Sequence, residues 1–115
     1  MAALAALCII ASAQKTAHAA STEVNYQTYC WQCHGMKGNG KGVNTPSMAI
    51  QPRDHSDATG MKGIPDAQLF KAIKEGGLAV SKSGLMPAWA ATLSDDEIKA
   101  LVQHLRKLCN CKEGT

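Results

Sequence analysis

The string Cys30-Trp31-Gln32-Cys33-His34 holds the densest chemistry in the chain. On a turn of helix the two thiols fall at i and i+3 and the imidazole at i+4, so all three share a face. Thiols placed this way can add to the two vinyl groups of a haem, and the imidazole then reaches the iron from the same side. Covalent attachment and axial ligation come from one short segment, which is the C-x-x-C-H spacing of c-type haem attachment. Two rival chemistries use cysteine pairs. A thioredoxin-like dithiol needs a βαβ setting, and no strand pattern is evident here. A zinc site would recruit Cys109 and Cys111 into a set of four thiolates, leave His34 idle and span an unusually long helical interval. One covalently bound haem c is the cofactor to which the residues point.

The elements that must position this segment follow from pattern. A first helix is expected from Ser21 or Thr22, carrying Val24, Tyr26 and Tyr29 into the C-x-x-C-H string and stopping near Gly35. From Gly35 to Gly63, glycine, proline and polar residues forbid long regular structure. So long a loop in a compact domain needs an organiser, and a haem edge would serve. A second helix is predicted over Pro65 to Glu75, with Leu69, Phe70 and Ile73 as its apolar stripe and Gly76-Gly77 as its stop. Another loop runs from Leu78 to Thr92. The last helix opens with the capping box Ser94-Asp95-Asp96-Glu97. Ile98, Leu101, Val102, Leu105 and Leu108 recur along it at helical spacing, and Arg106 and Lys107 sit in its last turn.

The chain has 115 residues, enough for one small domain. Ala2 to Ala13 is an apolar, alanine-rich stretch of signal-peptide length, and Ala17-His18-Ala19 is a small-x-small cleavage site. Residues 1–19 therefore read as a cleaved leader, carrying Cys8 and His18 away with it, and 20–115 as the working domain. No lysine or arginine precedes the apolar run, so the true start codon is open. The apolar run is too short to span a bilayer, and no span is expected in the mature chain. With one Phe, two Tyr and two Trp, the aromatic supply is thin. A large apolar macrocycle at the centre would repair so small a core. The formal net charge is only +3, with no basic run or stacking platform, which speaks against nucleic acid.

A haem held by one histidine needs a decision about its other axial position. The candidates beyond residue 19 are Met36, Met48, Met61, Met86, His55 and His104. Met36 is too close to His34 to cross the ring. Met86 lies in a loop, in Gly84-Leu85-Met86-Pro87-Ala88-Trp89, where Pro87 biases it to extended backbone. At this point the residues resemble a family, the class I c-type cytochromes of the small bacterial monohaem kind. The likeness rests on C-W-Q-C-H-G at 30–35, on Thr45-Pro46-Ser47-Met48, on P-R-D at 52–54, on M-P-A-W at 86–89 and on L-S-D-D-E-I at 93–98. It implies an all-α cytochrome c fold, three to four short helices with long loops wrapped around one haem. It implies Met86 as the sixth ligand, giving His34/Met86 coordination. It also implies that the Pro46 carbonyl accepts from the His34 Nδ1–H and that Met48 packs on the proximal haem face. For Arg53, pairing with a haem propionate and a solvated charge both stay open. For Trp89, an N–H to a propionate and plain core packing both stay open. His55, between Asp54 and Asp57, reads as a surface residue with a bis-His haem as its alternative. His104 reads as structural, packed on the first helix. Cys109-Asn110-Cys111 is unexplained by the likeness: a small disulfide, an intermolecular bridge and free thiols are all open.

Two axial side chains leave the iron no open position, which disfavours catalysis there and leaves one-electron transfer. The expectation is an exported, monomeric, non-enzymatic carrier in the periplasm or an equivalent compartment. It would dock transiently to redox proteins as electron donor and acceptor. Lys37, Lys41, Lys62 and Lys82 either rim the haem edge and steer acidic partners or are simply solvated. A haem-bearing subunit of a larger oxidoreductase is the alternative, and a gas-binding or peroxidase-type haem protein a more distant one.

Overall fold

The computed structural model describes residues 19–114, so the expected leader, with Cys8 and His18, lies outside the described residues apart from Ala19. Five α-helices carry the fold, and no strand occurs among the described residues. They are α1 (Thr22–Tyr29), α2 (Trp31–His34), α3 (Ala58–Lys62), α4 (Asp66–Glu75) and α5 (Asp95–Leu108), with 3₁₀ turns at Thr45–Ser47 and Gly77–Val80. The single-turn helices α2 and α3 belong to this all-α plan. Helix α3 lies where the sequence was expected to stay irregular. Asp57 opens it by accepting from the Gly60 N–H, and Met61 closes it into the core.

The expected boundaries follow from caps. Ser21 accepts from the Val24 N–H at the start of α1. Cys30 interrupts the helix for one residue before α2, and Gly35 ends that turn at φ +81°. Pro65 caps α4 from just outside, one position earlier than the first-turn place foreseen for it. Ser94 and Glu97 close the predicted capping box on α5, with acids at its positive end.

Helix α5 is the spine. Ile98, Leu101, Val102 and Leu105 are buried along it. They meet Tyr26 of α1, Leu69 and Ile73 of α4, Met61 of α3, and Leu93 and Cys109 at the two ends of the spine in one cluster. Asn25 reaches across from α1 to the Glu97 carboxylate at 3.3 Å. Arg106, buried on α5, ties down the α3–α4 connection: Nε donates to Asp66 at 2.7 Å, Nη1 to the Met61 carbonyl at 2.6 Å and Nη2 to the Ile64 carbonyl at 2.5 Å. A buried guanidinium is stable only when its donors are spent this way. Beyond α5, Cys109 and Cys111 join in a disulfide with each other, and Gly114 donates to the Lys62 carbonyl at 2.8 Å. The C-terminal segment is thereby folded back onto α3. No helix of the described residues is long and apolar enough to cross a membrane.

Arg106→Leu strips three acceptors of their partner at once and should destabilise the domain by about 3 kcal/mol, read as a lower denaturant midpoint. A separate test concerns acid. The Glu97 carboxyl is held below its usual range, first by the Ser94 N–H, then by the Asn25 amide and the Ser94 hydroxyl. Its contribution is complete above the usual carboxylate range and is lost as pH falls through the depressed value. Glu97→Gln should therefore flatten the loss of stability on acidification.

Candidate haem site

Helix α2 is too short to satisfy its own ends, and the following loop does it instead. The carbonyls of Trp31, Gln32, Cys33 and His34 accept from the N–H groups of Gly35, Asn44, Gly42 and Gly40 at 2.8, 2.9, 3.0 and 2.8 Å. From the other side, the Tyr26 hydroxyl donates to the Gly35 carbonyl at 2.8 Å. The C-x-x-C-H turn is thus clamped at every backbone acceptor from Trp31 to Gly35. Gly40 is the keystone of the clamp, at φ +72°, with no room for a Cβ, which would stand 2.7 Å from the Pro52 carbonyl oxygen. Behind Gly40 runs the Pro52–Arg53 segment.

That segment holds the imidazole. His34 Nδ1 lies 3.1 Å from the Arg53 carbonyl oxygen, the contact of an N–H donor with its acceptor. Burial lowers the His34 pKa, against the opposing pull of that carbonyl. A neutral ring with its proton fixed on Nδ1 presents Nε2 as a free lone pair, which is what a metal ligand needs. The expected acceptor was Pro46, and the structure corrects this. Pro46 is exposed in the Thr45–Ser47 turn, and the carbonyl that meets His34 comes seven residues later. Distance along a glycine-rich loop does not fix where the chain returns to the ring. Arg53 itself has an exposed side chain and contributes here through its backbone.

Met48 is half-buried, with its carbonyl accepting from the Gln51 amide. The side chain packed on the His34 ring is that of His55, its centroid 4.2 Å away and its plane inclined by 17°. His55 is buried, not on the surface as expected. The flanking polar groups misled: Asp54 turns outward to accept from Ser56, while His55 between them turns in. A ring lying flat on His34 shares its side of the site, so the bis-His alternative, which needs a ligand opposite His34, finds no support. His104 lies against Tyr26 of α1 at 4.8 Å, in the packing role read for it.

The Met86 loop is fastened to the end of α4. The Gly77 N–H donates to the Met86 carbonyl at 3.0 Å, and the Trp89 and Ala90 N–H groups donate to the carbonyls of Ile73 and Lys74 at 3.0 and 3.2 Å. Trp89 then meets Tyr29, the residue before Cys30, with ring centroids 4.9 Å apart. One aromatic contact thus joins the segment bearing the thiols and imidazole to the segment bearing Met86. Among the other methionines, Met61 is fully buried in the core and Met36 is 67% exposed. Met86 is partly buried against the core.

These residues fit a haem. Cys30 and Cys33 are free thiols, half-buried, and burial followed by the neighbouring Cys33 pushes the Cys30 thiol up to about 12. The other two cysteines are tied to each other, which takes them out of a set of four zinc-binding thiolates. Val43, Ile50, Leu78 and Leu85, on the loops flanking the C-x-x-C-H turn and Met86, are 62–75% exposed. So much uncovered aliphatic surface is what a macrocycle would cover. Lys37, Lys41, Lys62 and Lys82 are all exposed, Lys62 on α3 and the other three on loops.

Gly40→Ala should cost about 1–3 kcal/mol through the left-handed backbone and the push on Pro52, and should loosen the His34 contact. Thermal unfolding unchanged from the native protein would contradict the clamp.

Comparison with known proteins bears on the family. Residues 17–105 match the family model described as cytochrome C oxidase, cbb3-type, subunit III. A solved structure named KustC0563 c-type cytochrome superposes with a TM-score of 0.61 at 25% identity, over 77% of this chain and 98% of that one. No curated protein sequence matches the chain. Proteins of this type are typically exported. The chain belongs to the cytochrome C oxidase, cbb3-type, subunit III family, as a small monohaem c-type cytochrome that carries covalently bound haem c and transfers electrons.

Proposed function

We propose that this protein is an exported, monomeric one-electron carrier that docks transiently to redox proteins in the periplasm or an equivalent compartment. Residues 1–19 serve as its cleaved leader and 20–115 as the carrier. Cys30 and Cys33 form the two thioethers, His34 and Met86 are the axial ligands, and no position is left for a substrate. The Tyr29–Trp89 contact carries this reading, because it sets the methionine loop against the histidine segment. When bound, haem supplies a ferric/ferrous couple that takes up or releases one electron. The protein's part is to hold both ligands still. The Arg53 carbonyl fixes the His34 tautomer, and the bonds from Gly77 and to Ile73 and Lys74 fix the loop around Met86. A thioether ligand favours the ferrous state and raises the potential relative to a second imidazole. Rigid ligands also keep reorganisation small as the charge changes. The Arg53 guanidinium and the Trp89 N–H are available to the propionates. The exposed lysines offer a positive rim for acidic partner surfaces.

The description of the matching family, which names an oxidase subunit, favours a second reading as a permanently bound haem subunit. A native-mass measurement separates the two: a carrier runs as the monomer, a subunit co-purifies with larger proteins. Met86→Ala tests the ligand set. The reduced variant should bind carbon monoxide and show a lowered potential, whereas a variant indistinguishable from the native protein would remove Met86 from the iron.

A further inference from the structure

His55 is the one buried group among the described residues that the ligand set leaves without work. It is 7% exposed, its Nδ1 has no hydrogen-bond partner, and its ring lies nearly parallel to His34 at 4.2 Å. Its position is fixed from behind. Its N–H donates to the Gly38 carbonyl at 2.5 Å, and Gly38, at φ +72°, is crowded by the His55 Cβ and the Leu108 side chain together. A buried polar nitrogen without a partner is costly, and a leucine or phenylalanine would fill the same slot without that cost. Arg53 and His55 flank Asp54 and meet the same ring, one through its carbonyl at the ring edge and one against the ring face.

We propose that His55 is a positioning residue for the axial imidazole: its flat face fixes the plane of the His34 ring and holds the reduction potential below the value an aliphatic neighbour would give. A single hydrogen bond at Nδ1 tolerates swing of the ring about that bond. A planar neighbour against the ring face does not. The second effect is electrostatic. An imidazole bound to ferric iron, with its Nδ1–H on a carbonyl, carries partial positive charge. The π face of an aromatic neighbour stabilises that charge more than a leucine does.

The inference rests on His34 as axial ligand, and the ferric and ferrous spectra of the native protein test that on their own. The decisive variants are His55→Leu and His55→Phe in the haem-loaded protein. Two readouts apply: the pattern of hyperfine-shifted haem methyl signals in ferric proton NMR, which follows the imidazole plane, and the ferrous-to-ferric ratio at a fixed solution potential. His55→Leu should rearrange the methyl pattern and raise the ferrous-to-ferric ratio by roughly three- to tenfold, the size of an aromatic pair interaction, without lowering resistance to denaturant. His55→Phe, which keeps a flat face, should restore the native pattern. A His55→Leu protein with native pattern and native ratio would overturn the proposal. If His55→Leu fails to take up haem, His55→Phe decides alone: a native pattern supports the stack, and an altered one refutes it.

Discussion

One hydrogen bond decides what His34 can do. With the Nδ1–H spent on the Arg53 carbonyl, Nε2 is the ring nitrogen left free. Without it the ring could take either tautomer. The surrounding structure reads as the apparatus that keeps this carbonyl in place. Gly40 admits the Pro52–Arg53 segment because it has no side chain, and the same glycine binds the His34 carbonyl. Tyr26 pins Gly35 from α1, and α1 is pinned to α5 through Asn25 and Glu97. The chain of support runs from the core spine to one acceptor atom.

The described fold divides its labour between two halves. The helical half, α1, α4 and α5, is held by ordinary apolar packing around Ile98, Leu101 and Leu105. The loop half, from Gly35 to Gly63 and from Leu78 to Thr92, leaves Val43, Ile50, Leu78 and Leu85 in the open. So small a helical core is only marginally stabilising on its own. A haem held by residues of both halves would add apolar contacts and couple them, and a group bound only by the folded state stabilises it.

Much of this was legible in the sequence, for identifiable reasons. C-x-x-C-H is local, and its chemistry depends on spacing alone. The capping box and the apolar stripe of α5 are also local, and the structure has both. What failed was whatever depends on the return path of a loop. The resemblance implies Pro46 as the acceptor, and the path through Gly38, Gly40 and Gly42 brings the Arg53 carbonyl to the ring instead. His55 looked solvated because acids stand on either side of it, yet it is buried at the turn that follows Asp54, whose carboxylate accepts from Ser56. Helix α3 was hidden by its glycine and by its length of five residues. Cys109-Asn110-Cys111 resolves to an intrachain disulfide, a choice that sequence spacing left open.

The most direct test of the account is the visible spectrum of the protein produced with a haem-attachment system, oxidised and reduced, with and without carbon monoxide. Sharp reduced bands of a low-spin c haem, a weak thioether-to-ferric-iron band and indifference to carbon monoxide are the predicted result. Ready carbon monoxide binding by the native protein would contradict His34/Met86 coordination. Absence of haem absorbance would contradict the account at its root.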